Sequence, residues 1–246
     1  MYYNYKNIKL YYEKHGKKDK YLIILPGWGN TRPTFYNIIN QFKKFYTIYI
    51  IDYPGFGNSP IINNNLTIYD YADLIKHFIK DNNIDNPSII AHSFGGRIAS
   101  ILIGKEKLEV DKLILIDVAG IKHKKSFKLY LKEKIYKFIN KITKYKYKEK
   151  LNKIFGSTDY NNLPKCMRNT FKNIINEDLT KYYKSIKIST LIIWGEYDRD
   201  TPLKDGKILN KLIRNSALII YKKRKHFSYL EEISLTNKIL YYMLIN

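Results

Sequence analysis

Apolar residues along the chain fall into short unbroken runs, separated by polar stretches in which apolar positions recur at helical spacing. The runs Tyr21 to Leu25, Thr47 to Ile51, Ser88 to Ile90, Leu113 to Ile116, Thr190 to Trp194 and Ala217 to Tyr221 read as strands. Arg97 to Leu102 has helical spacing, and further helices are expected near Lys165 to Ile175 and Leu179 to Lys187. Apolar residues at 127, 131, 135, 138, 139 and 142 define an amphipathic helix with one buried stripe. Strands alternating with helices predict an α/β domain.

One strand-to-helix junction carries chemistry. Residues 91 to 96 read Ala91-His92-Ser93-Phe94-Gly95-Gly96. A serine between small residues at such a sharp turn has the pattern of a nucleophile elbow, where strand and helix pass so close that bulky neighbours would collide. The first small position is alanine where the strict motif has glycine. Read alone, the hexapeptide also fits a Gly-containing turn with an incidental serine.

A serine hydroxyl needs a base to take its proton, and the base needs an acid to orient it. The chain supplies both downstream. The loop Gly195 to Pro202 holds Glu196, Asp198 and Asp200, of which Asp198 is best placed as the acid. The strand Ala217 to Tyr221 leads into a basic turn ending at His226. Asp117, at the end of the strand Leu113 to Ile116, is an alternative acid.

These segments, with Leu25-Pro26-Gly27-Trp28-Gly29 and Asp52-Tyr53-Pro54-Gly55-Phe56-Gly57-Asn58-Ser59, occur in an order and spacing that resembles the α/β-hydrolase family. The resemblance implies a mostly parallel central sheet flanked by helices, with a core of residues 1–119 and 189–246 and an inserted Lys-rich helical cap at 120–188. It implies Ser93 as nucleophile, His226 as general base and then acid, and Asp198 as the group that fixes the imidazole tautomer. The backbone N–H groups of Trp28 and Phe94 would form the oxyanion hole. Pro26 stands where relatives have histidine, and Lys225 where many have glycine; an outward lysine would leave the imidazole undisturbed. Within the family the layout is most similar to small carboxylesterases acting on pimeloyl-carrier-protein methyl esters, which leaves the substrate open.

The implied activity is cleavage of carboxylic esters through an acyl-enzyme, with no cofactor and no metal. Thioester, amide or carbon–carbon hydrolysis, cofactor-free peroxidation and a binding-only role are the alternatives. His15, His77, His92 and His123 lack metal-ligand spacing and read as surface or packing residues. Asp52 and the glycines after it read as turn-shaping, and Trp28 as either pocket lining or packing.

Composition changes the picture in one respect. Of 44 basic residues six are arginine, and the net charge is +22. Lysine without arginine reads bases poorly and no nucleic-acid module is present, so nucleic acid is not an expected partner. Thirteen lysines against two acids lie between Ile121 and Lys153, within the expected cap. This charge fits either a solvated face with codon bias, or a rim for an acidic acyl carrier or an anionic membrane surface. One cysteine, Cys166, excludes an internal disulfide. No apolar run approaches the ~20 residues of a membrane span, and the N-terminus lacks a signal-peptide core, so a cytoplasmic location is expected.

Overall fold

Strands that are apolar at every position must be covered on both faces, and the sheet obeys this. A computed structural model describes residues 1–62, 65–122 and 163–245. Eight strands, β1 (Tyr2–Tyr5), β2 (Ile8–His15), β3 (Tyr21–Leu25), β4 (Thr47–Asp52), β5 (Ser88–His92), β6 (Leu113–Ile116), β7 (Thr190–Gly195) and β8 (Ser216–Tyr221), form one sheet in the order β1-β2-β4-β3-β5-β6-β7-β8. The β1–β2 and β2–β4 pairs are antiparallel. Every other pair is parallel. All residues of β4, β5, β6 and β7 are buried, as strands inside a two-sided parallel sheet require.

The period-two alternation divides the core. Ile23, Leu25, Ile89, Ala91, Leu115 and Trp194 pack on one face with helices α2 (Ile68–Asp81) and α3 (Phe94–Ala99). Leu22, Ile24, Ile90, Ile114 and Ile193 pack on the other with α1 (Tyr36–Phe42) and α8 (Ile233–Ile245). Each fully buried aliphatic side chain contributes roughly 1.5–3 kcal/mol. The α3 helix continues into a π-helical turn at Ser100–Lys105, where the sequence pattern predicts one plain helix.

Several elements lie outside the predicted ones, among them the first hairpin and the helices α1, α2 and α8. The β1–β2 hairpin mixes tyrosines with polar, charged and scattered aliphatic residues rather than forming an apolar run; its Tyr3 and Tyr12 meet Phe78 edge-on at 5.4 and 4.9 Å between ring centroids. The α2 helix opens with a capping box, in which the Thr67 hydroxyl accepts from the Asp70 N–H and the Asp70 carboxylate accepts from the Thr67 N–H.

Of the cap expected at 120–188, the structure describes residues 120–122 and 163–188, with α4 (Arg168–Ile175) and α5 (Thr180–Lys184) in the latter. The lysine-coated helix predicted over 127–142 and His123 lie outside the described residues. Leu163, Met167 and Phe171 pack with Trp28 and Phe56 to cover the carboxyl ends of the strands. The end of the segment is tied back where the Tyr183 hydroxyl donates to Ala119 O at 2.7 Å. Among the described residues no helix is long and apolar enough to cross a membrane. The remaining helices, α6 (Leu203–Leu212) and α7 (Ser228–Glu231), follow β7 and β8.

Candidate active site

Loops leaving the carboxyl ends of parallel strands converge on a crevice, and here they deliver Ser93 after β5, Asp117 after β6, Asp198 after β7 and His226 after β8. Ser93 has φ 48° and ψ −110°, a region that L-residues occupy at a cost of roughly 1–3 kcal/mol. The turn is held by Ser93 N donating to Ile116 O at 3.1 Å and Ala119 N donating to Ser93 O at 3.0 Å. A side chain at Gly95 would collide with the carbonyl of Leu25, so the sequence supplies none.

The strain aims the hydroxyl at an imidazole. Ser93 Oγ lies 2.9 Å from His226 Nε2, and His226 Nδ1 lies 2.8 Å from Asp198 Oδ2. An ionised carboxylate only accepts, so the proton sits on Nδ1 and Nε2 is free to accept from Ser93. The Asp198 side chain has no exposed surface. Its Oδ1 accepts from the N–H groups of Asp200 at 2.8 Å and Thr201 at 3.0 Å, and its Oδ2 accepts from Thr201 Oγ1 at 2.7 Å. Burial pushes the Asp198 carboxyl up, but the His226 and Thr201 hydrogen bonds outweigh it and hold the group below the ordinary value. Burial pulls His226 down, and the hydrogen bond and charge of Asp198 outweigh it, so the imidazole protonates above its ordinary value of 6.5.

The acid and base loops brace each other through backbone bonds, Glu196 N to Tyr221 O at 3.0 Å and Tyr197 N to Arg224 O at 2.8 Å. His92 is wholly buried beneath His226, and its Nε2 donates to the His226 carbonyl at 2.9 Å. Burial, helped by the His226 charge, drives His92 down to about 3, so it remains neutral. It is a packing residue that also fixes the backbone of the base, a role no sequence spacing signals. Lys225 is exposed, in keeping with the outward orientation expected for it.

Asp117 is not on the imidazole. Its Oδ1 accepts from Gly195 N at 2.7 Å and its Oδ2 from Ser228 Oγ at 2.6 Å and Ser228 N at 3.3 Å, joining β7 to the start of α7. Burial raises its carboxyl to about 7. With the native pKa near 7 and the unfolded one near 3.9, the native state holds the proton more tightly, so this group favours stability at low pH and the benefit fades as pH rises from about 4 to about 7. Asp117→Asn is expected to cost about 1–3 kcal/mol, because an amide nitrogen cannot accept from Ser228. It should also flatten that pH dependence while kcat changes only a few-fold; thermal denaturation from pH 4 to 8, run beside an activity assay, checks both.

Phe94 opens α3, so its N–H has no carbonyl within the helix to bond. A Cβ placed on Gly27 would lie 3.2 Å from Ser93 Cβ, which sets the Gly27–Trp28 turn against the serine from the other side. Both positions expected to supply the oxyanion hole thus border the nucleophile. Trp28 combines its two alternative roles: it lines the cavity and meets Phe56 and Phe94 edge-on at 4.8 and 5.2 Å. The cavity has a volume of about 340 Å³ and is bordered by Ser93, His226, Trp28, Phe171, Ile174 and Arg97, among others. Phe171 and Ile174 come from α4, and Arg97 from α3. Asp198, Asp200 and His226 could place three ligand atoms within 4.8 Å of one another. A metal there would have to displace the Thr201, Asp200 and His226 donors that already fill Asp198, so this donor set suits a proton relay better than an ion.

The eight-stranded sheet with its antiparallel second strand and the crevice after β5 to β8 are the architecture of the α/β-hydrolase fold. A family model described as alpha/beta hydrolase fold matches residues 20–139. The chain is 26% identical over 240 residues to a pimeloyl-[acyl-carrier protein] methyl ester esterase of Legionella pneumophila, with 93% of this chain and 96% of that protein covered. It is 23% identical to a 2-hydroxy-6-oxononadienedioate/2-hydroxy-6-oxononatrienedioate hydrolase of Escherichia coli, covering 96% and 90% respectively. MGS-M2, an alpha/beta hydrolase enzyme from a deep-sea metagenome library, superposes with a TM-score of 0.79 at 20% identity over 100% of this chain and 98% of that one. The chain has the α/β-hydrolase fold and is an enzyme, similar along its length to esterases and other hydrolases of that fold.

Proposed function

We propose that the protein is a serine hydrolase that cleaves carboxylic esters through an acyl-enzyme on Ser93. The observation that carries this reading is the unbroken chain from Ser93 Oγ to His226 Nε2 at 2.9 Å and from His226 Nδ1 to Asp198 at 2.8 Å, starting from a strained serine. As Ser93 Oγ attacks the ester carbonyl, its proton passes to His226 Nε2 and the carbonyl oxygen becomes an oxyanion. The N–H groups of Phe94 and Trp28 stabilise that charge, each donor being worth roughly 3–4 kcal/mol of barrier. Collapse returns the proton to the departing alcohol. Water then gives its proton to His226, attacks the acyl carbon and releases the acid and Ser93.

The substrate is an acyl ester. The Legionella relative acts on a carrier-protein-linked methyl ester. An acidic acyl carrier would also suit the net +11 of the segment Ile121 to Lys153, where thirteen lysines meet two acids. The test is hydrolysis of p-nitrophenyl esters from acetate to palmitate and of an acyl-carrier methyl ester, at low and high salt. Turnover with accumulation of an acyl adduct on Ser93 is expected, and a carrier docked by charge would weaken with salt. Folded protein that turns over no ester would move the reading to another acyl bond.

The base must be neutral to act, so activity should rise with pH along a limb set by His226. Because its pKa lies above the ordinary value, the acidic limb of kcat/KM is expected above pH 6.5. A limb at or below that value in a pH–rate profile would contradict the role given to Asp198.

A further inference from the structure

The cavity holds a charge that ester cleavage does not use. Arg97 lies one helical turn beyond Ser93, which puts its side chain on the nucleophile's face of α3, and it lines the cavity. It is only 9% exposed. Its Nη1 donates to the carbonyls of Ile174 at 3.0 Å and Glu177 at 3.1 Å, across the C-terminal end of α4. A guanidinium has five N–H donors in a rigid fork. Two carbonyls on one nitrogen leave the other donors without a charged partner: among the described residues no carboxylate pairs with Arg97. The acidic groups whose field reaches it, Glu177 and Asp178, are committed elsewhere. Glu177 accepts from the Tyr69 hydroxyl at 2.6 Å, and Asp178 accepts from Thr180 N at 3.0 Å and from Thr180 Oγ1. Burial disfavours the charge, but a guanidinium does not give up its proton in a protein, so the cavity carries a fixed positive pole.

The anchoring bonds to α4 explain where the side chain sits, but not why a residue so costly to bury stands there. A neutral side chain of similar length would pack against Phe171 and Ile174 without a desolvated charge. The charge gains a purpose if the ligand brings the counter-ion. We infer that Arg97 is an anion-recognising subsite of the acyl pocket, selecting acyl chains that end in a carboxylate, such as half-esters of dicarboxylic acids, over neutral chains of the same shape. A neutral chain would expel water from the guanidinium and offer it no acceptor, which is the arrangement that discriminates most strongly. A carboxylate end restores a charge-assisted pair, and the fork favours a planar, two-oxygen partner.

This inference rests on the hydrolase reading of Ser93, so its test has one arm on turnover and one on binding. The first compares kcat/KM for monomethyl adipate and for methyl 6-methylheptanoate, in which an isopropyl group replaces the carboxylate. Wild type should favour the half-ester roughly 10- to 100-fold, the value of a hydrogen bond to a charged group. The ratio should fall toward one in Arg97→Met and lie between in Arg97→Lys, which keeps the charge and loses the fork. The ratio is the readout because loss of the Ile174 and Glu177 bonds will slow both substrates alike. A wild-type ratio near one, or a preference that survives in Arg97→Met, overturns the inference.

The second arm measures adipate binding by calorimetry to wild type and to Arg97→Lys and Arg97→Met. Weakening in the order wild type, Lys, Met supports the subsite, and equal affinity in all three overturns it. Were no ester hydrolysed while adipate binding still depended on Arg97, the ester reading would fail and the anion site would stand. Were Arg97→Met unable to fold, the Arg97→Lys variant alone would decide both arms.

Discussion

Ser93→Ala is expected to lower kcat by about 10⁶, the loss seen when a triad nucleophile is removed elsewhere, with the thermal midpoint unchanged or slightly raised. The hydroxyl makes one named bond, to His226 Nε2, and removing it opens no cavity in the core. Alanine keeps the Cβ that packs near Gly27 and inherits the strained φ of 48°, so the elbow itself is not relieved. What disappears is the covalent route. The donors at Phe94 and Trp28 and the binding cavity remain, and such remnants leave a residual acceleration of roughly 10³–10⁴ over water. Steady-state turnover of the best p-nitrophenyl ester, with thermal denaturation of the same sample, reads both quantities. A variant retaining more than about one part in a hundred of its activity would remove Ser93 from the role of nucleophile, since an active triad serine cannot be bypassed at that level. A folded variant that also fails to form the acyl adduct would isolate the effect to chemistry.

The sequence displayed the fold where burial left no choice of residue. Strands β3, β4, β6 and β7 lie inside a sheet covered on both faces, so they must be apolar throughout, and the runs at 21–25, 47–51, 113–116 and 190–194 stand out from their polar surroundings. The β1–β2 hairpin was hidden because it is an edge ribbon. Its positions are half-exposed, tyrosine and lysine serve there as well as valine would, and no unbroken run results. The α2 helix was signalled by Thr67 and Asp70, a capping pair followed by buried Ile68, Tyr71, Leu74, Ile75 and Phe78 at helical spacing, but that signal competes with the Asn-rich stretch before it.

At the site the order serine, acid, histidine was legible because each residue follows a strand. Two carboxylates met that description, however, and spacing alone could not divide them. The difference is directional: Asp117 turns toward Gly195 and Ser228, while Asp198 turns toward His226. Arg97 and Phe171 act through distances between segments far apart in the chain, and nothing local in the sequence sets them apart.

Asp198→Asn tests that directional difference with the second largest expected effect, a loss in kcat on the order of 10⁴, by comparison with the same change in other triads. The argument follows the donors. Asp200 N and Thr201 N both donate to Asp198 Oδ1, so an asparagine will keep its carbonyl oxygen there and turn its amide nitrogen toward His226. An amide nitrogen only donates, and Nδ1 of the imidazole must then accept. The ring proton moves to Nε2, which faces Ser93 and can no longer take its proton. The base is present, in place and in the wrong tautomer. Removing the carboxylate also removes the main support of the imidazolium, leaving burial opposed only by the charges of Asp117 and Asp200, so the acidic limb of the residual activity should move to lower pH than in wild type. Stability should change little by comparison, because Asn satisfies the two backbone donors, reverses the His226 contact and loses only the Thr201 Oγ1 donation to Oδ2. A pH–rate profile of Asp198→Asn beside Asp117→Asn separates the two acids. The tautomer argument requires the large rate loss and the clearly shifted limb in the first, and in the second no such loss and only a smaller shift from the missing Asp117 charge; the opposite pattern would make Asp117 the acid that serves His226.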